Sequence, residues 1–300
     1  MRAVLLLLTA AFLLAGSGCG GDSADKGGPV TLALDFQPNP VHAGIYAAEG
    51  PDLRVRVPSS STDSLKLLAT GRADLAVVDI HDLGLARERG EDIVGVGALV
   101  QRPLAAVIGR PGIRRPRDLE GERVGVTGLA SDDAVLRAVV QSDGGDYSKV
   151  KRTTIGFTAV PSLIAGKVDA VVAFWNVEGV ALRRRGVQTR EFRVDDYGAP
   201  RYPELVLAVE RENARDMNGV LAKLVAGTRA ALADREATID QLVEVSGADE
   251  PLVRAQLGAV APALRPPIRL DRRALEGWAR FDARFGILER RPDVERAFPP

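Results

Sequence analysis

The chain has 300 residues, 46% of them hydrophobic, with 40 basic and 40 acidic side chains and a formal net charge of zero. That length and composition bury one large core or two ordinary ones, and they exclude a disordered or low-complexity protein. The charge balance offers no reason to expect nucleic acid or an anionic membrane surface as a partner.

In chain order, the first feature is a short basic start, Met1-Arg2, followed by an apolar run from Ala3 to Ala15 and the small stretch Gly16-Ser17-Gly18 before Cys19. These are the three parts of a secretory signal. The run is too short to span a bilayer, which needs about 20 apolar residues. Because Cys19 is the single cysteine, a disulfide is ruled out, and the segment resembles the lipobox of bacterial lipoproteins. The resemblance implies removal of residues 1–18 and lipidation of Cys19, giving an exported protein anchored on the outer face of the cytoplasmic membrane. A plain secretory signal is the alternative. Residues 19–29 are Gly-rich and polar, and read as a flexible tether.

From Val30 the pattern alternates. Val30–Asp35, Leu53–Val57, Leu75–Asp79, Ile93–Val100, Arg123–Val126, Val168–Phe174 and Leu205–Val209 read as strands. Val41–Ala48, Asp63–Ala69, His81–Arg89, Asp132–Gln141 and Ala159–Ala165 read as helices, so the expected class is α/β with mainly parallel sheets. Beyond Val209 only helices are expected: Asn213–Val245, Glu250–Ala259 and Arg272–Phe285. An internal echo links Leu67–Val78 to Leu163–Val172. Each passes from a helix through Gly71 or Gly166 to a basic or small residue, an Asp and an apolar strand, which predicts two similar lobes.

Three strand-to-helix junctions are candidate sites, since ligands of open α/β sheets bind at the carboxyl ends of strands. In the first, Asp35-Phe36 precede Asn39-Pro40, a helix start whose free N–H groups suit a polar ligand; His42 and Tyr46 share one face of that helix. A capped helix with interior His and Tyr explains the same residues. In the second, Trp175-Asn176-Val177-Glu178 supply a stacking face, an amide and a carboxylate, a set suited to a planar, amino-bearing heterocycle. Core Trp175 with Asn176 as cap is the alternative. The third, Asp79-Ile80-His81-Asp82, has metal-ligand chemistry, but a capped helix start accounts for it better. The arginine clusters 114–117 and 183–185 read as solvated surface. No phosphate loop, nucleophile elbow or thiol nucleophile is present, and no cofactor or catalytic residue is expected.

The segments Leu34–Asn39 with His42–Tyr46, and Trp175–Gly179 with Arg193–Tyr202 and Glu204–Leu207, resemble the signatures of solute-binding proteins for thiamine pyrimidine precursors. That family serves ABC importers and is related to the yeast-type pyrimidine synthases. The resemblance implies a type II periplasmic-binding-protein fold with crossovers near Val100–Leu104 and Gly198–Glu204. Lobe 1 would be residues 30–101 and 203–300, and lobe 2 residues 102–202. It also implies Trp175 stacking on the pyrimidine, Glu178 and Asn39 bonding its polar edge, and Phe36, Tyr46 and Tyr202 lining the pocket. Asp35, His42, Asp79 and Asn176 complete the expected ligand set. The implied protein is a monomeric receptor partnered by a permease and an ATPase. The lysine and cysteine-rich motif of the enzyme branch have no counterpart, since Leu75–Asp79 lacks a lysine. A sulfonate or nitrate receptor, with Thr127-Gly128 and Ser131-Asp132 as donors, is the alternative within the class, although Asp132 and Asp133 fit an anion poorly. A sensor module is the alternative outside it. The segment Ala48–Leu53 is shorter than the family's usual loop.

Overall fold

The computed structural model describes residues 28–60 and 63–299, so the signal segment, Cys19 and nearly all of the tether lie outside the described residues. The elements run β1 Val30–Ala33, α1 Ala43–Tyr46, β2 Leu53–Arg56, α2 Asp63–Ala69, β3 Leu75–Asp79, α3 Ile80–Glu88 and β4 Ile93–Ala98. There follow β5 Ala105–Gly109, β6 Arg123–Val126, α4 Ala130–Ser142, β7 Lys151–Thr154, α5 Ala159–Ile164, β8 Ala170–Phe174, α6 Glu178–Arg184 and β9 Arg190–Arg193. Then come β10 Leu205–Glu210, α7 Asn218–Ala233, α8 Arg235–Ser246, α9 Glu250–Val260, α10 Arg272–Phe285 and α11 Val294–Ala297.

The strands form two five-stranded sheets, ordered β2-β1-β3-β10-β4 and β7-β6-β8-β5-β9. The chain leaves the first sheet after Ala98 and enters the second at Ala105; it leaves the second after Arg193 and returns at Leu205. This is the two-lobed α/β architecture expected from the sequence. Neither sheet is mainly parallel, however. β10 runs antiparallel to both β3 and β4, and β5 runs antiparallel to both β8 and β9. In each sheet the antiparallel strand is the one that arrives from the other lobe, so its direction follows from connectivity rather than from local pattern.

The sequence echo marks equivalent units. Gly71 and Gly166 both end their helices in the left-handed region, at φ 63° and 72°, where only glycine is unstrained. The Asp that follows clamps the neighbouring first strand. Asp74 Oδ2 accepts from Thr31 N–H at 2.9 Å in one sheet, and Asp169 Oδ2 accepts from Arg123 N–H at 3.1 Å in the other.

Three strands escaped the sequence reading. β7 (KRTT) is exposed along its whole length and β9 (REFR) is charged, so neither has an apolar period; β5 (AAVIG) is a buried run too short to stand out. The expected helix Asn213–Val245 divides, because Asp234 leaves helical geometry and caps α8 by accepting from Ala237 N–H at 3.1 Å. The outer strands are protected. Arg54 and Arg56 punctuate β2, and β4 is covered by an antiparallel bridge from Ile268 and by Phe298, which stands against Gly95.

Candidate ligand cleft

The carboxyl ends of β1 and β3 in one lobe face those of β6 and β8 in the other, and a cavity of about 90 Å³ lies between them. Asp35, Phe36, Asp79, Asp82 and Glu204 line it from the first lobe and the crossover; Thr127, Asp132, Phe157, Phe174 and Glu178 line it from the second. Six of its wall residues are carboxylic acids and none is Lys, Arg or His. Such a wall repels anions and favours N–H donors and cations.

At the mouth, Phe36 and Phe157 approach edge to face from opposite lobes, with ring centroids 4.4 Å apart. Asp35 is oriented by a local chain of hydrogen bonds. Asn39 N–H donates to His42 Nδ1 at 3.3 Å, so the imidazole proton sits on Nε2 and is donated to Asp35 Oδ1 at 2.9 Å. Opposite stands Glu178 at the start of α6, whose Oε2 accepts from Phe174 N–H at 3.0 Å. Burial pushes the Glu178 carboxyl up to about 7, and the charge of Asp35 across the cleft adds to the effect.

The inner wall is more deeply enclosed. Glu204 Oε2 accepts from Leu104 N–H at 2.9 Å, tying the two crossovers together, while Glu204 Oε1 has no hydrogen-bond partner. Asp79 and Glu204 are both raised by burial, which outweighs the attraction of His81. Behind them His81 lies between Asp282, whose oxygens are 2.8 and 3.0 Å from Nδ1, and Tyr202 Oη, 3.0 Å from Nε2. Burial alone would lower His81, but Asp282, then Asp79 and Glu204, carry it up to about 10, so it is an imidazolium at neutral pH. Asp79, His81 and Glu204 offer atoms within 4.8 Å of one another, the spacing of a metal site. Both His81 nitrogens are already engaged, so no free imidazole ligand is available there and the capping role of Asp79 prevails, its Oδ1 accepting from His81 N–H at 2.8 Å.

Of the expected ligand residues, Asp35, Phe36, Asp79 and Glu178 line the cavity; the other six do not. Asn39 is spent as a helix cap, accepting from Val41 N–H at 2.9 Å, and His42 is spent in orienting Asp35. Tyr46 is buried in the core beside α7 and α8. Tyr202 is fully buried behind the wall on His81. Trp175 is also buried: its Nε1–H donates to Pro103 O at 3.2 Å, and the guanidinium groups of Arg102 and Arg193 lie 5.3 and 4.4 Å from its ring centroid. The indole therefore supports the crossovers rather than forming a shelf in the cleft. Asn176 is fully buried outside the cavity, with neither amide atom hydrogen-bonded.

The sequence reading missed Phe157, Phe174 and Glu204 as wall residues, named Asp82 only for a helix start or a metal ligand, and proposed Ser131-Asp132 only as anion donors. The structure reverses that last role. Asp132 Oδ2 accepts from Thr127 N–H, Thr127 Oγ1–H and Gly128 N–H at 2.7, 2.7 and 3.0 Å, while Asp82 accepts from Ser131 Oγ–H at 2.8 Å. The donors an anion would need are already filled by carboxylates. Glu204 left one signal, a carboxylate abutting the apolar run Leu205–Val209 of β10; Phe157, in a turn outside any period, left none.

Comparison with known proteins follows this geometry. The family described as NMT1/THI5 like matches residues 40–238. A formylaminopyrimidine-binding protein of Halalkalibacterium halodurans is 34% identical over 204 residues, covering 64% of this chain and 62% of that protein. A 4-amino-5-hydroxymethyl-2-methylpyrimidine phosphate synthase of Saccharomyces cerevisiae is 26% identical over 176 residues, covering 53% of this chain and 49% of the enzyme. The chain thus spans less than two thirds of either relative. Among solved structures, the alkanesulfonate-binding protein of Xanthomonas axonopodis pv. citri bound to MOPS aligns with TM-score 0.72 at 19% identity, over 90% of this chain and 98% of that one. That similarity establishes a shared fold.

Proposed function

Because this chain belongs to the NMT1/THI5-like family, we propose that it is a solute-binding protein that captures an amino-bearing pyrimidine of the thiamine-precursor class for an ABC importer. The observation that carries this reading is the wall: six carboxyls, three phenylalanine rings and no basic side chain around a cavity the size of a small ring. An exocyclic amino group donates to Asp35, and Glu178, which holds a proton near neutral pH, presents both a donor and an acceptor to a ring nitrogen and its neighbouring amino group. Phe36 and Phe157 close on the ring from opposite lobes. The relative named for formylaminopyrimidine binding agrees with this chemistry.

Residues 30–101 with 203–300, and 102–202, act as the two lobes, closing about the crossovers on the ligand. The protein acts as a monomer, exported and anchored through Cys19, and delivers its cargo to a permease and its ATPase. A sulfonate or nitrate would find the Thr127 and Ser131 donors already held by carboxylates and would face six acidic groups. A synthase role fits less well than capture, as no lysine or cysteine among the described residues lines the cavity.

The test is a thermal-shift series on the protein lacking residues 1–18, with hydroxymethyl-, aminomethyl- and formylaminomethyl-substituted aminopyrimidines, taurine and nitrate. Ligand at a hundredfold excess over Kd should stabilise the fold by about 2.7 kcal/mol. A shift with pyrimidines alone supports the reading; a shift with taurine or nitrate and silence with pyrimidines refutes it.

A further inference from the structure

The outer half of the cavity explains how a ring and its amino group are held, but it leaves the inner wall unused. There Glu204 is fully buried, lines the cavity, and carries an oxygen, Oε1, with no hydrogen-bond partner. A buried carboxylate oxygen without a donor is a costly arrangement that a bound ligand relieves. Its other oxygen is fixed by Leu104 N–H, so the carboxyl cannot turn away to find a partner elsewhere. Asp79 stands beside it, with its Oδ1 held by His81 N–H.

We propose that this inner wall receives a protonated amine carried by the ligand's side chain, so that the preferred cargo is an aminopyrimidine bearing an alkylammonium group. The inference rests on the pyrimidine reading and adds the charge of the second substituent. Three features favour an ammonium, one each over a hydroxyl, an amide carbonyl and a metal ion. A hydroxyl satisfies one acceptor where an ammonium brings three donors to two carboxyls. A carbonyl would bring a further acceptor to a wall already rich in them. A metal ion, the competing cation, lacks a free imidazole ligand because Asp282 and Tyr202 hold both nitrogens of His81.

The experiment is calorimetric titration of the protein at pH 7 with aminomethyl- and hydroxymethyl-substituted aminopyrimidines. The aminomethyl compound should bind roughly 10- to 100-fold tighter, the range of one charge-assisted hydrogen bond. Glu204→Gln keeps the acceptor for Leu104 N–H and should bring the ratio of the two affinities close to one. Asp79→Asn should act in the same direction, and thermal melts of both variants verify folding. Equal binding of the two compounds, or equal losses in Glu204→Gln, overturns the inner-wall assignment and leaves the pyrimidine reading intact. Failure of every pyrimidine to bind overturns both. Stabilisation by zinc or magnesium alone that Glu204→Gln abolishes would show a metal site instead.

Discussion

The protonation of Glu178 gives a quantitative prediction that needs no ligand. Its carboxyl is held at about 7, against an ordinary 4.5, mainly by burial. The folded state therefore binds more protons than the unfolded state between those values, and the contribution to stability is complete below the lower value and lost as pH rises through the upper. Raising the carboxyl that far corresponds to about 3 kcal/mol, and because the residue is half-buried, solvent reduces this to about 1–3 kcal/mol. Glu178→Gln removes the titrating group and keeps the shape. The variant and the parent should melt together at pH 5, and the variant should melt roughly 2–12 °C higher at pH 8, given about 2–4 °C per kcal/mol. Differential scanning calorimetry at the two pH values measures this. A melting difference that does not change with pH would refute a proton held by burial.

Two further expectations address residues outside the cavity. Trp175→Phe retains an apolar ring and loses the bond to Pro103; it should lower stability by about 1–3 kcal/mol in urea unfolding and leave aminopyrimidine affinity unchanged. Loss of binding in a folded Trp175→Phe would restore the stacking role. Asp282→Asn removes the counter-charge of the buried His81 imidazolium and should destabilise the protein by about 3–5 kcal/mol at pH 7. A loss under about 1 kcal/mol would mean that His81 is neutral in the fold.

The sequence carried the site only as far as strand ends carry it. Asp35, Asp79 and Glu178 were legible because each stands where a strand gives way to a helix, and such junctions converge on the cleft in an open sheet. Trp175 was misleading because of its place next to Phe174. It follows the last residue of β8, where the chain turns, and its indole is held against the crossover by Pro103 O instead of entering the cavity. Asn39 and His42 were recognised as polar and close to the site, but one-dimensional spacing does not show that they satisfy each other and Asp35 first. Glu204 is brought to Asp79 by a strand that returns from the other lobe, and no local pattern records that partnership. The same long return explains why β10 was recognised as a strand while its antiparallel direction was not.

The treatment of the sheet margins reaches beyond ligand capture. A strand with unpaired amides and carbonyls is a template on which another polypeptide can polymerise. Here Lys151 and Arg152 stand on β7, Arg54 and Arg56 on β2, and Arg190, Glu191 and Arg193 on β9, so a second copy adding to any of these would bring like charges alongside. The apolar margin, β4, is sealed from within by Ile268 and Phe298, both far downstream of it in the chain. Until those residues dock, β4 is the adhesive surface of a partly unfolded molecule. A chain shortened before Ile268 would therefore be expected to precipitate through β4 even if both lobes had formed, and tolerance of crowding is acquired only when the C-terminal segment is in place.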